Sequence, residues 1–335
     1  EVDPAERSGI MQYKGTTKVD LDAGDAVEID LKMEPNPFEP DFAEPVQNPF
    51  GISSYFYNFT YPLLTDLDSD GDLDILLGDY EMVGPVYPST FWYENTGSAT
   101  DPSFSSGIVK NPFGLDVDRE SVYEAVDLDS DGDLDILAGE GNLFAPGQFE
   151  YWENTPSGST PSFTAHPDNP LPFNLSSTTY SSFVTLGDLD DDADMDLIVG
   201  DNYYNTGSYY GIIRYFENIG SVTAPDFAAP VDDPFGLSNI SPYSFISPQL
   251  VDLDGDGDLD ILAGEYNGNT LFFENTGSSS SPAFAAPVLN PFGLSNVITS
   301  YNSVLSLGDL DGDGDYDLLV GEYSTNLWYF ENRAR

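Results

Sequence analysis

One motif recurs five times along the chain and sets the period of the whole sequence. It is a nine-residue, aspartate-rich segment that begins at Asp66, Asp127, Asp188, Asp252 and Asp309, so that successive copies start 61, 61, 64 and 57 residues apart. Self-similarity at such a period is typical of repeat architectures, in which each unit buries its apolar surface against the next unit. Any fold for this chain must therefore accommodate five equivalent units.

Further markers recur in phase with the acidic segments. An aromatic pair followed by Glu-Asn occupies residues 92–95, 151–154, 215–218, 272–275 and 329–332, and a Pro-x-Phe segment then begins at Pro102, Pro161, Pro225 and Pro282. Between the markers run short apolar stretches bounded by Gly, Pro, Asn and Asp, which predict strands. Four strands per unit, labelled A to D with the acidic segment between A and B, predict an all-β fold. We expect a β-propeller of five four-stranded antiparallel blades.

The two ends of the repeat region predict a closed ring. The last unit stops at Asn332, where a strand D is due, and the missing Pro-x-Phe lies at the other end, at Pro40 and Phe42. An N-terminal strand that completes the last blade would remove two exposed sheet edges at once. The propeller is predicted over residues 35–335, with repeats of about 36–95, 96–154, 155–218, 219–275 and 276–332. Residues 1–34 are predicted to be a β-hairpin or the remnant of a neighbouring β-domain.

The acidic segments have the composition of a metal-binding loop. Aspartate stands at positions 1, 3, 5, 7 and 9, and glycine stands at position 6 in four of the five loops, where it permits a sharp turn. Calcium takes six to eight oxygen ligands, which a short loop supplies by wrapping around the ion. Position 7 is expected to contribute its backbone carbonyl, with its side chain facing outward. The predicted metal residues are Asp66, Asp68, Asp70, Asp72 and Asp74; Asp127, Asp129, Asp131, Asp133 and Asp135; Asp188, Asp190, Asp192, Asp194 and Asp196; Asp252, Asp254, Asp256, Asp258 and Asp260; and Asp309, Asp311, Asp313, Asp315 and Asp317.

The repetition predicts about five Ca²⁺ ions, one per blade. Without a cation, the carboxylates within each loop would repel one another. Because this crowding recurs five times, it argues against simple solvated turns. An EF-hand is excluded because position 12 is apolar, as at Leu77, where that motif needs a bidentate Glu. The third loop has Ala193 in place of glycine and an additional acid, Asp191, so its site is predicted to be weaker or distorted.

The charge of the chain limits its partners. There are 59 acidic and 9 basic residues, for a formal net charge of −50. Such a surface repels nucleic acid phosphates and anionic headgroups, and no apolar run is long enough to span a bilayer. The sequence therefore predicts that the chain does not bind DNA or RNA and does not insert directly into a membrane.

The B–C loops offer a candidate ligand face. From the last loop aspartate to the glutamate of strand C, the five units count 20, 18, 21, 14 and 14 residues, so the first three carry insertions. Exposed aromatics on loops of a rigid scaffold suit stacking against sugar rings or a protein partner. Alternatively, these side chains pack on one another or cover the channel. The candidates are Tyr80, Tyr87, Phe144, Tyr203, Tyr204, Tyr209 and Tyr210.

No catalytic residue is predicted. The only histidine, His166, lies in a strand D region and is interpreted as a packing change. Arg119 and Arg214 are the basic candidates in blades 2 and 3, and neither has an evident partner in the sequence. An acid follows the strand B glycine in every unit, which indicates a structural hydrogen-bond acceptor for a neighbouring loop rather than a catalyst. These acids are Asp79, Glu140, Asp201, Glu265 and Glu322.

The pattern Asp-x-Asp-x-Asp-Gly-x-x-Asp, followed by an apolar strand and a glycine such as Gly78, resembles the FG-GAP/VCBS repeat family. The resemblance covers roughly residues 36–332. It implies a propeller with calcium in the A–B loops, as in integrin α-subunits and many bacterial surface proteins and lectins. Such propellers serve adhesion, sugar binding and some polysaccharide lyases, so the fold alone does not fix a function.

The sequence therefore predicts a secreted or cell-surface bacterial protein. Its expected role is a non-catalytic binding or adhesion module for carbohydrate or an extracellular protein. A polysaccharide lyase or hydrolase on the same fold is the first alternative, and a structural spacer within a larger adhesin is the second.

Overall fold

The computed structural model describes residues 40–52, 60–79, 90–105, 109–115, 121–140, 149–156, 160–166, 179–205, 208–237, 240, 244–294, 301–323 and 326–334. Within these ranges the chain forms twenty strands, which assemble into five four-stranded sheets. Helix is confined there to the short 3-10 turns Pro49–Gly51 and Pro112–Gly114. No helix in the described part has the length and apolar character needed to cross a bilayer. The predicted all-β class is confirmed, while the hairpin predicted in residues 1–34 lies outside the described residues.

Each blade is an antiparallel sheet, and in blades 1 to 4 the strands follow chain order. Strand β1 (Val46–Gln47) comes first and joins the last blade. Blade 1 contains β2 (Thr60–Thr65), β3 (Asp74–Asp79), β4 (Thr90–Tyr93) and β5 (Val109–Lys110). Blade 2 contains β6 (Ser121–Val126), β7 (Asp135–Glu140), β8 (Phe149–Asn154) and β9 (Phe163–Ala165). Blade 3 contains β10 (Thr179–Gly187), β11 (Asp196–Asn205), β12 (Ser208–Phe216) and β13 (Val231–Asp232). Blade 4 contains β14 (Ser247–Val251), β15 (Asp260–Gly264), β16 (Thr270–Phe273) and β17 (Val288–Leu289), and blade 5 contains β18 (Val304–Gly308), β19 (Asp317–Gly321) and β20 (Leu327–Phe330).

The N-terminal strand completes blade 5 and closes the ring, as the phase of the repeat predicts. Strand β1 pairs antiparallel with β20, and Phe42 forms a further bridge with Asn332. The Asp41 N–H donates to Asn332 Oδ1 at 2.9 Å, and the Phe42 ring packs edge-on against Phe330 with 6.5 Å between the ring centroids. The innermost strands then contact one another in the cyclic order β2, β6, β10, β14, β18 and back to β2.

The core lies between neighbouring blades, which explains the aromatic pairs of strand C. One buried cluster joins Leu76 and Trp92 of blade 1 to Tyr123 and Trp152 of blade 2. Equivalent clusters fill the other gaps between blades, so that each sheet covers the apolar face of the next one. The aromatic pairs of strand C therefore contribute to the core between blades.

The glycine at the end of strand B is required by the close approach of the next blade. A Cβ atom placed on Gly264 would lie 2.1 Å from the carbonyl oxygen of Ser303, and one on Gly200 would lie 1.9 Å from that of Ile246. Because both obstacles are backbone atoms, a side chain cannot be accommodated by rotation alone. The glycine therefore sets the spacing between successive innermost strands.

Candidate metal centres

The five acidic loops connect strand A to strand B in every blade, and the antiparallel order of the sheets places them all on one face of the ring. We call this the loop face. In the first loop, Asp66 Oδ1 accepts the N–H of Asp70 at 3.0 Å and its Oδ2 accepts the N–H of Gly71 at 3.0 Å. The same pair of hydrogen bonds occurs in the other four loops. The first aspartate thereby folds each loop around its own side chain.

Each loop brings three carboxylates to one point. In the first, second, third and fifth loops, the residues at positions 1, 3 and 5 each offer an oxygen within 4.8 Å of the others. In the loop of blade 4, the residues at positions 1, 3 and 9 do so. An all-oxygen set of this kind matches a hard divalent cation such as calcium. The converging sets are Asp66, Asp68 and Asp70; Asp127, Asp129 and Asp131; Asp188, Asp190 and Asp192; Asp252, Asp254 and Asp260; and Asp309, Asp311 and Asp313.

Several loop oxygens are buried without a hydrogen-bond partner. At position 3 these are Oδ1 of Asp68 and Asp190, and at position 7 they are Oδ1 of Asp72, Asp194 and Asp315. Buried oxygens that lack a donor are costly unless a proton or cation is supplied. In these three loops the observation corrects the expectation that position 7 faces outward, because one side-chain oxygen of Asp72, Asp194 and Asp315 is buried. The residues present therefore fit a bound cation.

Burial and crowding raise the pKa of particular carboxylates in the third, fourth and fifth loops. Burial, followed by the charge of neighbouring aspartates, raises the pKa of Asp194 to about 6 and that of Asp315 to about 7. In the fourth loop, burial and the Asp256 carboxylate raise the pKa of Asp254 to about 6. A divalent cation among these oxygens would favour the ionised form of each acid.

The ninth residue of each loop also joins strand B to strand C. Asp74, Asp135, Asp196, Asp260 and Asp317 are buried, and each accepts the backbone N–H of the asparagine that ends strand C at 2.7–2.9 Å. That asparagine in turn binds the C–D turn, since Asn95 Oδ1 accepts the N–H groups of Gly97 and Ser103. The asparagine of the repeated Glu-Asn marker therefore links the metal loop to the C–D turn, which explains its recurrence.

Blade 4 differs at this ninth position. In the other blades an aromatic side chain of strand C donates to the carboxylate, as Tyr151 OH does to Asp135 at 2.7 Å. Blade 4 has Phe272 there, which offers no donor, and burial raises the pKa of Asp260 to about 8. This is also the loop in which position 9 belongs to the converging set. Loss of the aromatic donor leaves the Asp260 carboxylate available for a cation.

The third loop keeps the shape of the others despite its alanine. Ala193 has a positive φ of 77°, where Gly71 has 98°, and its N–H donates to Asp188 Oδ2 at 3.0 Å. The distortion expected for this loop is therefore absent from its backbone. Holding an alanine in the left-handed region still costs about 1 kcal/mol or more.

The opposite face carries the B–C segments, and the structure describes part of the predicted aromatic set there. Tyr80, Tyr87 and Phe144 lie outside the described residues. Tyr203 and Tyr204 lie on β11, where they pair in register with Tyr210 and Tyr209 of β12. The side chains of Tyr209 and Tyr210 are exposed, so two of the seven predicted residues are seen at the surface.

Sequence reasoning missed a second group of aromatics on the same face. The ring centroid of Tyr209 lies 6.1 Å from Phe245, Phe245 lies 5.4 Å from Tyr266, and Tyr266 stacks on Tyr301 at 5.1 Å. Tyr266 and Tyr323 each directly follow the repeated strand B acid, which was a visible signal. The B–C loops of blades 4 and 5, by contrast, are the two shortest.

The repeated acids on this face are structural where they are described. Asn269 donates to Glu265 through its side chain at 2.5 Å, and Asn326 donates to Glu322 at 2.9 Å. The expected structural role is supported, but the partner is the acid's own B–C turn. Asp201 instead accepts Arg214 Nη1 at 2.6 Å.

Arg214 is paired on both sides, contrary to the expectation from the sequence. Its second partner is Asp232, at 3.0 Å from Nε, and the first partner, Asp201, is fully buried. The guanidinium therefore bridges strands β11 and β13 within one sheet. His166 packs its ring 5.6 Å from that of Tyr151, in agreement with its interpretation as a packing residue.

A cavity of about 290 Å³ lies among the innermost strands, next to the loop face. Its lining includes Glu124, Gln249 and Ser306, which occupy equivalent positions of three blades. Thr185 Oγ1 donates to Glu124 Oε1 at 3.3 Å, and burial raises the pKa of Glu124 to about 7. Toward the opposite face, the ring contains a buried apolar cluster made of Tyr61, Val122, Phe183, Phe245 and Val304.

Comparisons with known proteins agree with this architecture. A family model described as FG-GAP-like repeat matches residues 66–138, 127–199 and 252–320, which together exceed half of the chain. No curated protein matches the sequence. Among solved structures, 33 chains match. One of them, a thermostable family-43 glycoside hydrolase, superposes with a TM-score of 0.53 over 85% of this chain and 92% of its own, at 7% identity. At that identity the likeness concerns the fold alone.

Proposed function

The chain belongs to the FG-GAP-like repeat family, and on this premise we propose that it is an extracellular calcium-binding propeller that acts as a non-catalytic binding module. Carbohydrate is the proposed partner, and a bacterial secreted or cell-surface location is the proposed setting. The observation that carries the proposal is the contrast between five equivalent oxygen-lined loops on one face and exposed tyrosines on the other.

The calcium part of the proposal rests on the chemistry of the loops. FG-GAP repeats often bind calcium, and each loop here gathers three carboxylate oxygens around one point. The aspartates at positions 1, 3 and 5 would hold the ion, with position 9 taking part in blade 4. Bound calcium would neutralise the clustered charge and supply partners for the buried oxygens of positions 3 and 7. About five ions per chain are proposed, one for each blade.

The carbohydrate part rests on the opposite face and on charge. Tyrosine offers an apolar ring face together with a polar hydroxyl, which suits the apolar and hydroxyl-bearing faces of a sugar. A chain with a net charge of −50 favours a ligand that carries no negative charge. The similarity to a glycoside hydrolase propeller is compatible with a carbohydrate ligand.

A polysaccharide lyase or hydrolase remains the competing function because that structural neighbour is an enzyme. Glycoside hydrolysis generally uses two carboxyl groups that flank the scissile bond. Among the described residues that line the central cavity, Glu124 carries a carboxylate, whereas the matching positions of three other blades hold Leu63, Gln249 and Ser306. The other lining carboxylate, Asp252, belongs to a metal loop. This arrangement favours binding over turnover.

The test combines calcium stoichiometry with a glycan array. Isothermal titration of the calcium-depleted chain is expected to give about five sites, and the array is expected to show glycan binding that disappears in chelator. Release of reducing ends from a bound polysaccharide, abolished by Glu124→Gln, would establish the enzyme instead. If the chain binds no glycan on the array at any calcium concentration, the result would favour a structural spacer.

A further inference from the structure

Four aromatic rings form a continuous arc across three blades on the face opposite the loops. The arc consists of Tyr209 from blade 3, Phe245 and Tyr266 from blade 4, and Tyr301 from the segment that leads into blade 5. Each ring contacts the next, with centroid separations of 6.1, 5.4 and 5.1 Å. Because the segments come from different blades, only the closed propeller assembles them.

The arc presents three exposed tyrosines over one buried phenylalanine. Tyr209, Tyr266 and Tyr301 are 42%, 37% and 54% exposed, whereas Phe245 is 5% exposed and packs beneath them with the apolar cluster of the ring centre. Because the three exposed rings are linked through Phe245 into one contiguous patch, they differ from isolated surface tyrosines and mark a candidate interaction site.

Backbone hydrogen bonds hold the rings in place. The Tyr266 N–H donates to the Ser244 carbonyl at 2.8 Å, and the Asn302 N–H donates to the Tyr266 carbonyl at 2.8 Å. The Phe245 N–H donates to the buried side chain of Asn202. Phe245 also has a positive φ of 56°, which a neighbouring structure must hold in place. A ligand would therefore meet a surface that is already ordered, which lowers the entropic cost of binding.

Charge selects the kind of ligand. The acid nearest in sequence to the arc, Glu265, is fully buried and hydrogen-bonded to Asn267 and Asn269, so it anchors the turn. The chain as a whole repels anions through its excess of 59 acidic over 9 basic residues. A ligand here must bring flat apolar faces and hydroxyl groups without negative charge.

We infer that the arc is the carbohydrate-recognition surface and that its ligand is a neutral polysaccharide chain, which lies across blades 3 to 5 with successive sugar rings on Tyr209, Tyr266 and Tyr301. This inference rests on the proposed function, and it assigns that function to residues outside the long loops of blades 1 and 2. A protein partner is the alternative, and it is favoured if the calcium-loaded chain binds no polysaccharide.

The experiment is affinity gel electrophoresis of the calcium-loaded chain in gels that contain one soluble polysaccharide each. Neutral β-glucan, neutral galactomannan and anionic polygalacturonate are the probes. The wild-type chain is expected to be retarded by at least one neutral polymer and not by polygalacturonate. Tyr266→Ala and Tyr301→Ala are each expected to weaken the affinity about tenfold, because each removes one stacking surface.

Two variants serve as controls. Tyr316→Ala removes a tyrosine of similar exposure, 47%, from the loop face and is expected to leave retardation unchanged. Tyr301→Phe keeps the ring without its hydroxyl and is expected to retain most of the affinity. Melting curves in calcium verify that each variant is folded.

The outcomes separate the inference from the proposed function. If a neutral polysaccharide still binds both alanine variants as it binds the wild type, the arc is not the site, although carbohydrate binding stands. Retardation by polygalacturonate alone would overturn the neutral class of ligand. If the wild type binds no polysaccharide on any gel or array in calcium, both the inference and the carbohydrate function fail.

Discussion

On the loop face, five segments of nearly the same sequence repeat the same hydrogen bonds, whereas on the opposite face the B–C segments differ from blade to blade in length and composition. The loops fold locally, since Asp66 and its four equivalents each bind the backbone of their own loop. The aromatic arc exists only because Tyr209, Phe245, Tyr266 and Tyr301 meet across blades. The loop geometry is thus repeated along the chain, while the aromatic arc is assembled once, by the closed ring.

The largest effect should come from removing calcium from the loop face. Each filled site contributes about 4 kcal/mol when the free ion is about a thousandfold above its dissociation constant. With five sites, EDTA is expected to lower the melting temperature by tens of degrees, measured by differential scanning calorimetry. EDTA already saturated with calcium serves as the control and should change nothing. A melting temperature that is unchanged by EDTA would contradict the proposal that the loops bind calcium.

Two glycines, one near each face, should respond to alanine for different reasons. Gly264→Ala places a Cβ 2.1 Å from the Ser303 carbonyl oxygen, so about 3 kcal/mol or more of unfolding free energy should be lost. Gly257→Ala in the fourth loop meets open space and has only its φ of 98° to strain, so about 1 kcal/mol should be lost. Urea denaturation in calcium measures both losses, and equal losses would show that the close approach of the blades is unimportant.

A pair of single substitutions should separate the metal sites from the arc. Asp309→Asn removes a charge and an acceptor from the fifth loop, so the calcium stoichiometry should fall by one and the melting temperature in calcium by roughly 5 °C. Tyr301→Ala on the opposite face should leave both quantities unchanged. Calcium titration and calorimetry report the two effects, and a calcium response of Tyr301→Ala would show that the faces are coupled.

The smallest effect should come from Glu124, which lies in the central cavity between the faces. Its folded pKa of about 7 lies above its ordinary value of 4.5, so the folded chain holds this proton more tightly than the unfolded chain does. The stabilisation is complete below about pH 4.5 and is lost as the pH rises toward 7. Glu124→Gln should therefore melt at about the wild-type temperature at pH 5 and a few degrees higher at pH 8, in saturating calcium. A difference that does not change with pH would contradict the shift.

The sequence was sufficient for the fold because its markers repeat in phase. The fifth Pro-x-Phe is missing after the last unit and is supplied from the N-terminal end by Pro40 and Phe42, and the structure pairs Phe42 with Asn332. The first aspartate and the glycine of each loop act within a few residues of each other, so the shape of a loop could also be read locally. Such features depend on short-range geometry, which a single chain segment already contains.

The rest depended on contacts that no spacing reveals. Arg214 meets Asp201 and Asp232 only because β11, β12 and β13 are paired in a particular register. Asp194, at position 7 of the third loop, is buried by its blade, which the spacing of the motif does not indicate. Tyr301 reaches Tyr266 from a segment that precedes the next blade and lies outside the B–C loops.

The closure of the ring by β1 has a consequence for how the protein is made. Residues 42–47 leave the ribosome before any of the blades, yet their partners in β20 and at Asn332 are synthesised last. Throughout synthesis this early segment has no sheet to join, and blade 5 cannot be completed until the chain returns to it. An intermediate with four finished blades would therefore expose two unpaired strand edges, each able to bind a neighbouring chain, and the final strand pairing removes both hazards in one step.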